Sequence, residues 1–234
     1  MSKHFLIVSL MMVLVLVLAA CASPTSPPAT SAPTAVPPTI TPTALGSEAA
    51  EFPKLGNGEP AGDEEPAGFY KPPAAFSFPF TFKTDKVYRG IYEQFSQAQI
   101  FGIAQGSAMQ PPDLLLFWAV DPSYSVDQVI SELRATQNMK STENQAVQVA
   151  GVSGTQFDAT ADSPLAIPAL GKFVGHAGSD WRTDSPKVHL RFIALPISGR
   201  SLLIYIEAPQ DEWDSFLADA NQVLSTVKFA ANTP

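Results

Sequence analysis

Residues 114–120 read Leu-Leu-Leu-Phe-Trp-Ala-Val, a continuous apolar run. A strand that buries one face alternates apolar and polar residues, whereas an unbroken apolar run is typical of a strand that is covered on both faces. The run therefore predicts the central strand of a sheet, with a layer of structure on each side of it.

Other strands are predicted on both sides of this run. Phe76–Phe82 alternates aromatic with small or polar residues, the period of a half-buried strand, and Pro79 restricts it to an edge or an irregular position. Val147–Ala159 is expected to be one strand kinked by Gly151 and Gly154. The remaining predicted strands are Tyr88–Phe95, Gln99–Ala104, Val188–Ala194 and Leu202–Ile206.

Two amphipathic helices are predicted. Ser125 and Gln128 match a capping box, and apolar residues at helical spacing follow to about Asn138. Pro209 is expected to open the second helix, whose apolar stripe runs from Trp213 to Val227. Together with the strands, this predicts an α+β fold, a mainly antiparallel sheet with helices packed on it.

The N-terminus has the features of a lipoprotein signal peptide. Lys3 precedes an apolar run from Phe5 to Leu18, which is shorter than the roughly 20 residues that a membrane-spanning helix needs. Ala19 and Ala20 precede Cys21, the only cysteine of the chain. This lipobox spacing resembles that of bacterial lipoproteins. The resemblance implies removal of residues 1–20, a diacylglycerol thioether and palmitate on Cys21, and a location at the outer face of the cell membrane.

Residues 21–68 are predicted to form a disordered tether. Ten of the 22 prolines lie in this segment, mostly among Thr, Ser and Ala, and Phe52 is its only aromatic residue. Such a composition buries too little apolar surface to offset the entropy of ordering. Residues 69–234 hold the other aromatic residues of the mature chain and are expected to form one globular α+β domain.

Charge and composition exclude several classes of function. A formal net charge of −8 argues against nucleic acid as a partner, because that class of binding needs a basic surface. His176, Asp180, Asp184 and His189 lie close in sequence but outside a helix, so their spacing does not predict a metal site. No cofactor and no catalytic residue is assigned.

The segment 160–186 is the candidate for recognition. It is predicted to be a long loop, and loops of this length in a compact domain are usually functional or mobile. Its candidate residues are Trp181, Arg182, His176, Asp180 and Asp184. Trp181 beside Arg182 is the preferred contact pair, because these residue types dominate binding hot spots. The alternative is that Trp181 folds back and plugs the sheet.

A family resemblance is carried by residues 70–230, through the order of the elements and two short motifs. These motifs are Val149-Ala150-Gly151-Val152-Ser153-Gly154 and Glu207-Ala208-Pro209. The chain resembles the PsbP-like α/β/α sandwich of extracytoplasmic lipoproteins, to which mycobacterial LpqN-type proteins are similar. The resemblance implies an accessory or binding module without an established active site.

Two hypotheses of function remain. The first is a non-catalytic binding or scaffold module of the cell envelope, held by the lipid on Cys21 and contacting another envelope protein or a small ligand. The second is a hydrolase on the outer side of the membrane that uses residues of the 160–186 loop.

The lipid anchor predicts a direct biochemical result. Replacing Cys21 by Ser removes the thiol that would be acylated, so the protein should leave the membrane fraction or keep its signal peptide. Fractionation and intact-mass measurement check this. A processed Cys21→Ser chain that still sediments with membranes would contradict the anchor.

Overall fold

The fold is built on a sheet of eight strands in which every neighbouring pair is antiparallel. The computed structural model describes residues 49–52, 64–105, 113–162, 164–175, 181–183 and 185–230. In chain order the elements are β1 (Ala50–Glu51), β2 (Gly68–Lys71), β3 (Phe80–Thr84), β4 (Arg89–Gln94), β5 (Gln99–Gln105), β6 (Asp113–Ala119), α1 (Val126–Arg134), β7 (Lys140–Ser141), β8 (Gln145–Val149), β9 (Val152–Ala161), β10 (Ala166–Ile167), α2 (Pro168–Phe173), β11 (Trp181–Arg182), β12 (Val188–Ile197), β13 (Arg200–Pro209), α3 (Trp213–Thr226) and β14 (Lys228–Phe229). The predicted α+β class with a mainly antiparallel sheet is confirmed.

The apolar run forms β6, which lies inside this sheet between β5 and β13. All seven of its residues are buried. Trp118 pairs with Ile100 on one side and with Leu203 on the other. Because both edges and both faces of the strand are covered, every residue after Asp113 is apolar.

One face of the large sheet is covered by α3 and by a small sheet of order β1-β2-β3-β14. Phe117, Ile193 and Ile204 point to this face and pack with Phe80 and Phe216. We call this buried cluster the first core. The opposite face is covered by α1 and α2.

On that opposite face, Trp118, Phe192 and Tyr205 pack with Val129 of α1 and Leu170 of α2. We call this cluster the second core. Neighbouring residues of one strand enter different cores because successive strand side chains point to opposite faces. The sheet is therefore the middle of three layers, as the apolar run predicts.

Part of the predicted tether belongs to the domain. β1 pairs with β2. Phe52 is 1% exposed, and the centroid of its ring lies 6.0 Å from the ring centroids of both Phe82 and Phe101. Glu65 also forms a bridge with Tyr88. The predicted boundary at residue 68 is therefore wrong for residues 49–52 and 64–68, which strand pairing, the bridge and the burial of Phe52 hold on the domain. Cys21 and residues 22–48 and 53–63 lie outside the described residues, where the tether stays a prediction.

The aromatic alternation before Pro79 does not extend β3. The strand begins at Phe80, although Phe76 and Phe78 are buried and their ring centroids are 6.2 Å apart. Pro79 has no N–H to donate to a ladder, and its carbonyl accepts a hydrogen bond from Ala230 N at 2.9 Å. The residues before it therefore contribute rings to the first core without forming a strand.

The capping box of α1 is confirmed. Ser125 Oγ accepts from Gln128 N at 3.3 Å, and Gln128 Oε1 accepts from Ser125 N at 2.8 Å. The helix ends at Arg134, four residues before the predicted end. Asn138 has a φ of 62°, a left-handed conformation that a helix does not allow, so the chain turns away there.

The segment 147–159 is a hairpin and not the single kinked strand that the sequence predicted. Ala150 and Gly151 have φ values of 50° and 83°, and these two residues form the turn between β8 and β9. Gly154 has a different role. A Cβ atom there would lie 2.3 Å from the carbonyl oxygen of Ala194, so the glycine allows β9 to approach β12.

Pro209 closes β13 and does not open a helix. The last helix begins four residues later, at Trp213, and buries Trp213, Phe216 and Leu224 against the large sheet and β3. The preceding hairpin is as predicted, with a turn at Ser198 and Gly199, whose φ values are 52° and 75°. The apolar stripe therefore identified the helix, whereas the proline placed its start too early.

The 160–186 segment is more ordered than predicted. Where the structure describes it, the segment contains the end of β9, the strands β10 and β11, and α2. These elements are two to six residues long apart from β9, which is too short to produce a periodic pattern. The prediction of one long loop is therefore wrong for this part of the segment.

The packing of β1 gives a testable result. Phe52→Ala removes a fully buried ring and should lower the free energy of unfolding by about 3–5 kcal/mol in urea titrations. Phe69→Ala on β2 is the matched control, since its ring is only partly buried and lies beside Lys83. Equal losses from the two substitutions would show that residues 49–52 do not pack on the domain.

Candidate functional site

A groove of about 450 Å³ opens between the end of α1 and the segment that holds α2. Its walls come from three stretches of the chain: residues 132–138, residues 164–172 and Arg182. We call it the α1–α2 groove. It is lined by Glu132, Ala135, Thr136, Gln137, Asn138, Pro164, Leu165, Ala166, Pro168, Ala169, Lys172 and Arg182.

Local hydrogen bonds hold the walls in place. Thr136 N donates to Leu133 O at 3.1 Å, which tightens the end of α1. On the other wall, Leu165 N donates to Thr183 Oγ1 at 2.9 Å and Thr183 N donates to Leu165 O at 3.0 Å. Thr183 is buried, so this pair fixes β10 against β11. Pro168 occupies the first turn of α2, where its missing N–H needs no partner.

An ion pair joins the two helices at the groove. Lys172 Nζ lies 2.7 Å from Glu132 Oε2, and both side chains are partly exposed. The hydrogen bond to Glu132, followed by the charge of that carboxylate, raises the pKa of Lys172. The groove thus presents a cation and an anion in contact, and each keeps access to solvent.

Thr136 is the unusual residue of the groove. It is 8% exposed, and its Oγ1 atom is buried without a hydrogen-bond partner in the structure. A buried hydroxyl without a partner is unfavourable by about 1–3 kcal/mol, and most such groups in folded proteins are satisfied. Gln137 and Asn138, both exposed, extend the same polar wall.

The predicted contact pair is divided between two environments. Trp181 and Arg182 form β11 and pair with Ile167 and Ala166. The Trp181 ring packs edge-on against Trp118 at 5.1 Å, whereas the exposed Arg182 lines the groove. This contact agrees with the alternative in which the Trp181 side chain folds back onto the sheet. A recognition role for either residue stays a prediction.

Of the remaining ionisable residues that the sequence analysis considered, the structure describes only His189, which does not line this groove. His176, Asp180 and Asp184 lie outside the described residues. His189 packs its ring 5.4 Å from that of Trp213, on the face of the sheet that α3 covers, and the groove is on the opposite face. The described part of the chain has no group of three or more His, Cys, Asp or Glu side chains that could hold a metal ion.

Tyr205 and Glu207 form a buried polar pair beside Trp181, whose ring centroid lies 6.2 Å from that of Tyr205. The hydroxyl of Tyr205 donates to the carboxylate of Glu207, and both residues are buried. Burial, and then the charge of Glu207, raises the pKa of Tyr205 well above its usual range. The two-residue spacing places both side chains on the second-core face, which is the only sequence signal for the pair.

Glu212, one of the acidic residues before α3, forms a hydrogen bond with Asp113 that no sequence pattern predicted. Burial raises the pKa of Asp113 to about 7, assisted by the charge of Glu212 and a hydrogen bond between the two side chains. Because its pKa is near 4 in an unfolded chain, the stabilising contribution of protonated Asp113 decreases as pH rises from about 4 to 7. Asp113 is the first residue of a buried strand and lies far from Glu212 in sequence, so no local pattern indicated the contact.

None of the helices in the described ranges is both long and apolar enough to cross a bilayer. No protein-family model matches the chain, and no curated protein matches it by sequence. Among solved structures, this chain has a weak similarity to LpqN from Mycobacterium tuberculosis, a protein involved in cell envelope biogenesis. The identity is 12% and the TM-score 0.38, over 70% of this chain and 92% of LpqN. This is a distant likeness to an envelope protein.

Proposed function

We propose that this protein is a lipid-anchored, non-catalytic binding module of the cell envelope, which holds a polar group of another envelope component in the α1–α2 groove. The observation that carries the proposal is the Thr136 hydroxyl, which is buried at the groove without a hydrogen-bond partner. A small outward shift of the Thr136 side chain would give this hydroxyl a polar group of the ligand as its partner, a hydrogen bond worth about 1 kcal/mol.

The chemistry of the groove defines the kind of ligand. Lys172 and Glu132 offer a positive and a negative group in contact, and the amides of Gln137 and Asn138 both donate and accept. Pro164 and Pro168, both exposed at the groove, add apolar surface. A volume of about 450 Å³ is within the range of small-molecule sites, about 300–1,000 Å³. The ligand is therefore a compact polar group with donors and acceptors.

The attachment to the membrane is part of the same proposal. The apolar run 5–18 and the small residues before Cys21 support acylation of that cysteine, and a PsbP-like lipoprotein architecture is the family that we propose. Two or three acyl chains on one residue hold a protein stably, at about 0.8 kcal/mol per buried CH₂. The groove would then act at the outer face of the cell membrane without a cofactor.

A site-specific photo-cross-linker in the full chain tests the groove in the cells that produce it. The cross-linking residue replaces Gln137, which is exposed at the groove. Its matched control replaces Gln222, which is exposed on α3 at the other side of the sheet. We expect a discrete adduct at residue 137, identified by mass spectrometry, and none at residue 222.

Thr136→Val then separates binding from chance proximity. This substitution keeps the shape of the side chain but removes the hydroxyl. It should reduce the adduct at residue 137 by roughly five-fold or more, as the loss of one buried hydrogen bond implies. Equal adducts at residues 137 and 222, or an adduct that Thr136→Val leaves unchanged in a folded chain, would contradict the proposal.

A further inference from the structure

The strand β8 forms an edge of the large sheet. It pairs with β9 from Gln145 opposite Gln156 to Val149 opposite Val152, with no break in register. In the described residues no other strand pairs with its outer side. Gln145, Ala146 and Gln148 are exposed, and Val147 is partly buried. A regular strand with one side open is a template for pairing with another chain.

The other edge strands carry charged side chains, whereas β8 does not. β4, at the opposite edge, has Arg89 and Glu93, and β7 has Lys140, which lies 2.9 Å from Asp162. Charges and prolines on edges are the usual protection against pairing between molecules. β8 reads Gln-Ala-Val-Gln-Val and has neither.

The geometry of the turn shows which backbone groups of β8 are available. In a two-residue hairpin the residues that flank the turn form a hydrogen-bonded pair, so Val149, Val147 and Gln145 direct their N–H and C=O groups to β9. Ala146 and Gln148 direct theirs outward. Just before β8, Arg134 occupies two acceptors of the chain. Its Nη1 donates to Thr142 O at 2.5 Å and to Asn144 Oδ1 at 3.0 Å.

We propose that β8 is a self-association edge that pairs antiparallel with β8 of a second copy, around a two-fold axis at Val147. In this register Ala146 lies opposite the partner's Gln148, and Gln148 lies opposite the partner's Ala146. Each of these two pairs is hydrogen-bonded, so the outward N–H and C=O groups of both residues are all used. Val147 lies opposite the partner's Val147, the close non-hydrogen-bonded position. The pairing stays within residues 145–149 and does not use the acceptors of Thr142 and Asn144 that Arg134 occupies.

The self-complementary register selects a second copy as the occupant, and the absence of charge on β8 allows two acidic chains to meet there. Each chain has a formal net charge of −8, so two copies repel wherever their acidic surfaces meet. The β8 strand has no charge, and the neighbouring Glu143 would face the partner's Gly151 in this register. The cleft of about 380 Å³ beside β8, whose lining includes Val147, Gln148 and Asn221, has no ionisable side chain in that lining. The two α3 helices would lie on the same face, with both clefts between them.

A disulfide at the axis tests the register in the full chain. Opposing residues at a non-hydrogen-bonded position have Cα atoms about 4.5 Å apart, which a disulfide spans. Val147→Cys should therefore form a covalent dimer on mild oxidation. Gln145→Cys is the matched control on the same face, and its counterpart lies about 14 Å away along the strand. We expect cross-linking at least ten times faster at residue 147, and faster still at higher salt.

Two further variants complete the test. Gln145→Cys with Val149→Cys should restore cross-linking, because these residues lie opposite each other across the axis. Ala146→Pro removes an outward N–H that β9 does not use, so it should keep the melting temperature and prevent the dimer of Val147→Cys. Equal rates at residues 145 and 147, or no dimer from either the Val147 variant or the double variant, would overturn self-association. The latter result would leave an uncharged peptide of another protein as the occupant.

Discussion

The structure depends on the burial of β6 on both faces at once. A strand without polar side chains between positions 114 and 119 cannot face water on either side, so the sheet needs two covering layers. The first is supplied by α3 and the small phenylalanine-rich sheet, and the second by α1 and α2. The inner neighbour β13 is buried almost throughout for the same reason. The groove lies in the second layer, where the end of α1 meets α2.

Local signals explain why part of this arrangement follows from the sequence. The apolar run of β6, the capping box of Ser125 and Gln128, and the turn at Ser198 and Gly199 each depend on a few neighbouring residues. Features that depend on distant contacts had no such signal. Phe52 packs against the distant rings of Phe82 and Phe101, whereas its neighbours in sequence are typical of a tether. Likewise, Asp113 acquires its raised pKa from burial and from a residue about one hundred positions away.

The candidate site shows the same limit. Sequence reasoning selected the 160–186 segment, and Arg182 does line the groove. Glu132 and Thr136 were not selected, because they lie on a predicted helix, where polar residues are ordinary. Lys172 lies within the selected segment but was not among its candidate residues. Only the packing of α2 against α1 brings Lys172 to Glu132 and leaves the Thr136 hydroxyl without a partner. Trp181, in contrast, packs against Trp118 in the core, while its polar neighbour Arg182 lines the groove.

The most direct test of this account is native-state hydrogen exchange, read residue by residue. If burial of β6 organises the fold, the amides of Leu115 and Phe117 should exchange only through global unfolding. Their opening free energies should then equal the free energy of unfolding from urea titration, within about 1 kcal/mol. The outward amides of Ala146 and Gln148 should exchange far faster in dilute protein. Opening of β6 at a free energy well below that of global unfolding, while the β8–β9 hairpin stays protected, would contradict the account.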